Sequence, residues 1–218
     1  MILAVDTSLG SAVAVVGLDG SVRGSAASES PRGHAEVIGD LLVRALAEAG
    51  ATPGDITHVA AGMGPGPFTG LRIGIAAARA FAQGRGLPVI PVVSHDAIAF
   101  AHLLRRADDE AAAGHAMVPA DADPTFSIVT DARRREWAVS SYTTLDDDGI
   151  PLRTRGPELE PARTEGYVPV LTTAVSAGAL GALAARMIAA GRVEPMAEPL
   201  YLRSPDVVEG HTPKRVSA

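Results

Sequence analysis

Cysteine is absent from the 218-residue sequence, and basic residues are scarce. Without cysteine the chain has no disulfide, no zinc–thiolate site and no thiol nucleophile. Lys and Arg total 19 against 25 Asp and Glu, which gives a net charge of −6. The main basic cluster, residues 133–135, is interpreted as a solvated hairpin edge. Because binding to phosphates needs clustered Lys and Arg, we expect this chain to meet RNA only through another subunit.

Long apolar segments are also missing, although 47% of the residues are hydrophobic. We therefore expect no membrane span, and the opening residues 2–6 lack the basic start of a signal peptide. A soluble, cytoplasmic protein is the expectation. The length and hydrophobic content are sufficient for one sizeable domain or two small lobes.

The histidines do not have the spacing of a metal site. His34 is followed by Glu36 but by no second histidine four residues on, so neither His-x-x-x-His nor His-Glu-x-x-His occurs. His95 and His102 share a predicted helix face, where we expect them to be exposed or half-buried. A Gly-x-Ser-x-Gly sequence, which marks many serine hydrolases, is absent. We therefore expect no metal, no cofactor and no catalytic residue.

The most distinctive stretch runs from Gly62 to Gly74 and contains five glycines and two prolines. Glycine permits unusual dihedral angles and proline fixes φ, so the pattern indicates one rigid turn from a buried strand into a helix. Thr69 is predicted to cap that helix, whose free N–H groups suit an anion or a partner's carboxylate. Arg72 opposes the helix dipole, so we expect a carboxylate or phosphate beside it. A structural corner and a partner-docking turn both fit these residues.

Hydrophobic periodicity predicts three antiparallel strands followed by helix, strand, helix, strand and helix. The strongest helix signal runs from His34 to Ala49, before Gly50. A second helix over residues 71–83 is expected to be buried on more than one side. The third is capped by Ser94 and ends near Leu104. This order is that of the ribonuclease H-like lobe found in the actin-like ATPase superfamily.

The fold class predicted for the whole chain is α/β, with two ribonuclease H-like lobes of which the C-terminal one is reduced. The N-terminal lobe comprises residues 1–104, and a polar, mobile connection follows over 105–124. Residues 125–203 form the reduced lobe, and 204–218 a disordered tail. The elements predicted in the second lobe are strands at 126–130, 136–144 and 168–171 and a helix at 176–190.

Asp6, Thr7 and Ser8 follow the first strand, where actin-like ATPases place their first phosphate loop. The alternative interpretation, that they only satisfy a turn, has equal weight. The second phosphate loop would stand at residues 131–134, which contain no glycine, and no later Gly-Gly pair supplies an adenosine pocket. Any nucleotide site at these residues is therefore expected to be degenerate. A small ATP-dependent phosphotransferase or peptidase acting alone is the alternative function.

Several segments, taken together, resemble the TsaB (YeaZ) family. The matching stretches are 2–8, 34–36, 64–74, 88–90, 93–94, 131–136 and 199–203. The most specific is the glycine-rich turn, which we call the motif turn; its family residues are Gly64, Gly66, Phe68, Thr69, Gly70 and Arg72. The sequence departs from the family at Pro67, where serine is usual.

The resemblance implies a non-catalytic subunit needed to form threonylcarbamoyladenosine in tRNA. In this family the subunit pairs with the catalytic homologue TsaD, the ATPase TsaE joins the pair, and the subunit alone tends to form homodimers. The pairing surface is built from the first two helices of the N-terminal lobe, here residues 34–49 and 70–83. The residues we expect on their outer, partner-facing side are Val37, Leu41, Arg44, Ile73 and Ala77.

Overall fold

The structure is a computed structural model, and it describes residues 1–28, 33–112, 125–162, 169–195 and 198–203. Its first-half elements are β1 (Ile2–Asp6), β2 (Ser11–Val16), β3 (Val22–Ser28), α1 (His34–Glu48), β4 (His58–Gly62), α2 (Phe68–Arg85), β5 (Val89–Val92) and α3 (Ser94–Ala112). Those of the second half are β6 (Phe126–Asp131), β7 (Glu136–Leu145), β8 (Pro151–Pro161), β9 (Pro169–Leu171) and α4 (Ala177–Ala189). The predicted α/β class is confirmed.

The first sheet has the strand order β3-β2-β1-β4-β5 and helices on both faces. Strands β1 to β3 pair antiparallel, whereas β4 and β5 run parallel to β1. Successive side chains of a strand point to opposite faces, so Ile2 and Ala4 join the core with α3 and α4. Leu3 and Val5 join the core with α1 and α2. Strand β1 is apolar throughout because both faces of the sheet are covered at this strand.

The second sheet, ordered β8-β7-β6-β9, repeats the connectivity of the first four strands. Strands β6, β7 and β8 form an antiparallel meander, and β9 returns parallel to β6. Helix α3 packs against this sheet, and α4 lies across β1 and β2 of the first sheet while contacting α3. The two helices therefore fill the space between the sheets.

Most predicted elements are present, and three expectations are corrected. Strand β8 was not predicted, because its sequence is charged and interrupted by Gly156-Pro157, as an edge strand tolerates. Helix α3 continues to Ala112, so residues 105–112 are helical and do not form a mobile connection. Helix α2 is buried on one side, since Ala76 and Ala80 are exposed.

The rest of the predicted connection, residues 113–124, and the predicted disordered tail at 204–218 lie outside the described residues. The division of the chain into two lobes stays a prediction. Among the helices that the structure describes, none combines the length and apolar character needed to cross a membrane.

Candidate functional site

The motif turn leaves β4 and passes closely over the end of β1. A side chain on Gly62 would overlap the carboxylate of Asp6. A Cβ on Gly66 would lie 2.8 Å from Cα of Ser8, which is closer than real Cβ contacts allow. These two glycines are therefore required by the approach of one backbone segment to another, and the turn is a fixed corner.

Thr7 enters the first turns of α2. Its hydroxyl donates to the carbonyl of Gly70 at 2.7 Å and accepts from the amide of Gly74 at 3.1 Å. In a regular helix these two backbone groups pair with each other. A Cβ on Gly74 would overlap the Thr7 side chain, and one on Gly70 would lie 2.7 Å from the Thr7 carbonyl oxygen. The spacing Gly-x-x-x-Gly in α2 thus makes room for Thr7.

Asp6 is 2% exposed, and hydroxyl groups surround its carboxylate. Oδ1 accepts from the amide of Ser8 at 2.8 Å and from its hydroxyl at 2.6 Å, and Oδ2 accepts from the hydroxyl of Ser94 at 2.6 Å. Burial raises the pKa of Asp6, and these hydrogen bonds oppose the rise. Both carboxylate oxygens of Asp6 thus accept hydrogen bonds within the turn and from the start of α3. This agrees with the interpretation that these residues satisfy a turn. A nucleotide site at Asp6, Thr7 and Ser8 stays a prediction.

Two predicted helix caps are wrong. Ser94 is the first residue of α3, and its hydroxyl accepts from the amide of Gly64 at 3.1 Å while donating to Asp6. Helix α2 begins one residue before Thr69, at Phe68, with Pro67 as its N-cap and no side-chain cap. The first amides of α2 are thus left without a capping side chain.

Arg72 has aromatic neighbours where a carboxylate or phosphate was expected. Its guanidinium carbon lies 3.8 Å from the centre of the Phe68 ring, and Nε donates to the Tyr201 hydroxyl at 3.2 Å. The two rings are 4.7 Å apart. Attraction between the cation and the ring faces replaces the expected ion pair, and no carboxylate pairs with Arg72 among the described residues.

Residues 198–203, which we call the strap, run back over the motif turn. The amide of Leu200 donates to the carbonyl of Met63 at 2.8 Å, and Arg203 pairs with Glu136 at the start of β7. The strap therefore connects the first sheet to the second. Sequence reasoning included these residues in the family resemblance but assigned no contact to Tyr201, because its partners lie about 130 residues earlier.

A cavity of about 630 Å³ lies between the motif turn and the second sheet. Its walls come from Leu9, the start of α1, residues 65–70, the β6–β7 turn and the last three residues of the strap. The β6–β7 turn is tight, since Arg133, Arg134 and Arg135 all have positive φ. Sequence reasoning did not predict this cavity, because its walls are far apart in the chain.

The expected partner-facing residues do not share one surface. Leu41 is 1% exposed in the core beneath α1, so its assignment to the outer side is wrong. Val37, Ile73 and Ala77 are half-buried against the same core. Arg44 is exposed, 3.6 Å from Asp40. The centre of the apolar stripe of α1 packs against the sheet and α2, so it is not available to a partner.

The side of α1 and α2 that faces away from the sheet carries several small residues among charged ones such as Arg44 and Arg79, and we call it the outer face. Its exposed small or apolar members are Ala35, Gly39, Val43, Ala47, Ala76, Ala80 and Gly84. Val43 is 65% exposed. Nothing lies within 4 Å of a Cβ built on Gly39 or Gly84, so the fold itself does not require glycine at either position.

His95 is fully buried, which corrects the expectation of an exposed or half-buried ring. Nδ1 lies 2.9 Å from the Ser140 hydroxyl and Nε2 lies 3.0 Å from the Thr130 hydroxyl. Burial lowers the pKa of His95 to about 3, with a smaller contribution from Arg153. The ring is neutral at physiological pH and connects α3 to the second sheet.

Comparison with protein families gives one match over more than half of the chain. The sequence model described as "TsaD: tRNA N6-adenosine threonylcarbamoyltransferase" matches residues 22–149. A tRNA N6-adenosine threonylcarbamoyltransferase of Streptococcus pneumoniae is 54% identical over 61 residues, which are 28% of this chain and 18% of that protein.

Similarity over almost the full length is found with other proteins. "Uncharacterized protein Rv3421c" of Mycobacterium tuberculosis is 34% identical, over 94% of this chain and 92% of its own. The solved structure "YeaZ from Pseudomonas aeruginosa" has a TM-score of 0.71 at 24% identity, covering 92% of this chain and 99% of that one. The fold of this chain is thus that of YeaZ, as the sequence resemblance predicted.

Proposed function

The chain belongs to the family of the tRNA N6-adenosine threonylcarbamoyltransferase TsaD, and on that premise we propose that it serves threonylcarbamoyl modification of tRNA as a non-catalytic, TsaB-like subunit. Its proposed partner is a catalytic homologue of the TsaD type, with TsaE recruited to the pair and tRNA met only through the complex. Alone, the chain forms homodimers through the outer face of α1 and α2, which is also the surface proposed for pairing with the catalytic homologue.

The observation that carries this proposal is the outer face of α1 and α2. The fold does not require glycine at Gly39 or Gly84, because a Cβ at either position would meet no other atom. Val43 is an exposed apolar residue, and the residues one turn before and after it on α1 are small. Because the side chains on this surface are short, the helices of a partner can approach the backbone of α1 and α2 closely. A helical surface of the same family is a fitting partner.

The non-catalytic role is supported by the corner at β1. An acid that takes part in phosphoryl transfer needs an oxygen free for a metal ion. Both oxygens of Asp6 accept hydrogen bonds inside the fold, and Thr7 is occupied by α2. The turn after β6, where the second phosphate loop would stand, is made of arginines with positive φ. These residues favour a scaffold over a phosphotransferase.

Mixing purified chain with the catalytic homologue tests the pairing surface. We expect Ala76→Arg to weaken the complex at least about tenfold in size-exclusion and calorimetric titrations, because a long charged side chain holds the two surfaces apart. Ala107→Arg is the matched control: the same change at an exposed alanine of α3, expected to leave pairing intact. Undiminished pairing of both Ala76→Arg and Val43→Arg contradicts the assignment of this surface.

Reconstitution of tRNA modification tests the role itself. With the candidate partners present, we expect modified adenosine to form only when this chain is added, and the Ala76→Arg variant to lower the yield. A thermal-shift titration with magnesium-ATP addresses the alternative of an enzyme acting alone. A large, saturable shift for the isolated chain would favour that alternative.

A further inference from the structure

The two helices of the outer face carry charges of opposite sign. Helix α1 has a net charge of −2 from three acids and one arginine, all of them exposed: Glu36, Asp40, Glu48 and Arg44. Helix α2 has a net charge of +3, because its sequence contains no acidic residue and three exposed arginines: Arg72, Arg79 and Arg85. The outer face is therefore divided into an acidic helix and a basic helix.

Hydrogen bonds within the chain leave most of these charges in place. Oε2 of Glu48 accepts from a backbone amide of β3 at 2.9 Å, and Arg85 donates to a backbone carbonyl at 3.1 Å. Both partners are neutral groups, so the charge of each side chain remains. Asp40 and Arg44 lie 3.6 Å apart on the surface of α1, where such a pair is weak. The difference in sign between the two helices thus persists on the folded chain.

The two helices run in the same direction. The ring of His34 lies 3.3 Å from the position of a Cβ on Gly70, so α1 and α2 begin side by side. Strand β4 follows α1 and strand β5 follows α2, and these two strands are parallel neighbours. Helices that begin side by side and lead into parallel strands must themselves be roughly parallel. The outer face is thus an acidic helix lying parallel to a basic one.

This arrangement distinguishes between two ways of joining two copies. The axis of a two-fold dimer lies in the plane of its interface. If the axis crosses the helices, α1 lies on α1 of the second copy and α2 on α2, so like charges meet. If the axis runs along the helices, α1 lies on α2 of the second copy, and opposite charges meet twice.

We propose that a second copy of this chain pairs in the latter orientation, with α1 of each copy against α2 of the other. The inference rests on the proposed function, which places the homodimer on the outer face. It adds the orientation of the two copies and the charges that select it.

Arg44 is the exception on α1, and it offers a sharp test. Since His34 and Gly70 lie side by side, and since each residue advances a helix by the same rise, Arg44 is nearly level with Arg79. In the proposed orientation, Arg44 of one copy therefore lies near Arg79 of the other. These two positive charges reduce the attraction between the copies, and reversing one of them should strengthen the dimer.

Sedimentation equilibrium of the full-length chain and its charge variants tests the orientation. We expect Arg44→Glu to tighten the homodimer about tenfold, because a repulsion that occurs twice becomes an attraction. Tighter binding cannot result from misfolding. Arg79→Glu alone should weaken the dimer about tenfold, and adding it to Arg44→Glu should remove the gain. Arg105→Glu, the same change at an exposed arginine of α3, is the control and should leave the dimer unchanged.

The opposite orientation predicts opposite signs. Weakening by Arg44→Glu, or tightening by Arg79→Glu, would place like helices against each other and overturn the inference, as would unchanged affinity in both variants. A wild-type chain that stays monomeric but still binds the catalytic homologue would overturn this inference and leave the pairing role intact. Failure of both kinds of pairing would overturn the proposed function as well.

Discussion

The inner and outer sides of the α1–α2 layer are both rich in small residues, but for different reasons. On the inner side, Gly70 and Gly74 leave the space that Thr7 occupies. On the outer side, Gly39 and Gly84 have open space around them, and Val43 is 65% exposed. The fold therefore explains the first pair, and the second pair, which the fold does not require, supports the proposed pairing surface. A small residue indicates an interface only when its own monomer does not need it.

Neighbouring positions on α1 give the largest expected contrast. Leu41 is 1% exposed, so Leu41→Ala leaves a cavity in the core and should lower the free energy of unfolding by about 3 to 4 kcal/mol. Val43→Ala, on the outer face, should change it by less than about 0.5 kcal/mol. Urea denaturation followed by circular dichroism measures both. Similar losses for the two variants would show that the inner and outer sides do not differ as described.

The glycines of α2 give a matched pair for the same comparison. In Gly74→Ala the new Cβ overlaps the Thr7 side chain, and we expect a loss of about 2 to 3 kcal/mol in the free energy of unfolding. In Gly84→Ala the Cβ enters open space, so the higher helix propensity of alanine should add about 0.5 kcal/mol. Denaturant midpoints are the measurement. A stabilising Gly74→Ala would contradict the close packing assigned to Thr7.

We expect a fall in pH to change the stability of the fold through groups in the interior and not through groups on the outer face. Burial lowers the pKa of His95 from 6.5 to about 3, so folding favours the neutral ring. Its contribution to stability is complete above pH 6.5 and is lost as the pH falls from 6.5 towards 3. We expect about 2 kcal/mol to be lost between pH 7 and pH 5. The exposed pair of Arg44 and Asp40 should add little to this change.

Other buried groups must be separated from His95 in that measurement. Burial raises the pKa of Asp6 and of Asp96, and stability linked to these carboxyls rises as the pH falls, opposite to the effect of His95. His95→Gln therefore serves as the reference. We expect the wild type to lose more stability than this variant over the same range; an equal loss would rule out His95 as the cause.

Much of the fold was predictable because periodicity reports which faces are covered. The β1 run and the i, i+3, i+4 pattern of α1 led directly to the observed elements. Strand β8 was not predicted because it is an edge strand, whose charged and mostly exposed residues show no apolar alternation. The extension of α3 through residues 105–112 escaped because a polar helix with an exposed face has the composition of a linker.

Only part of the site was predictable from the sequence, because many of its contacts join segments that are far apart in the chain. The rigidity of the motif turn follows from its glycines and prolines alone. That Thr7 lies inside α2, or that Tyr201 lies against Phe68, does not follow, because periodicity carries no information about contacts between distant segments. Leu41 was assigned to the wrong side for a related reason: an apolar stripe does not reveal how much of its width the sheet and α2 cover.

The hydroxyl of Thr7 closes the first turns of α2 from a position 67 residues earlier than Gly74. That helix end cannot fray independently, since opening it also means withdrawing the end of the central strand. In amide hydrogen exchange, the proton of Gly74 should therefore be released only in the same large openings that expose the strand, although it lies near a helix terminus, where exchange is usually fast.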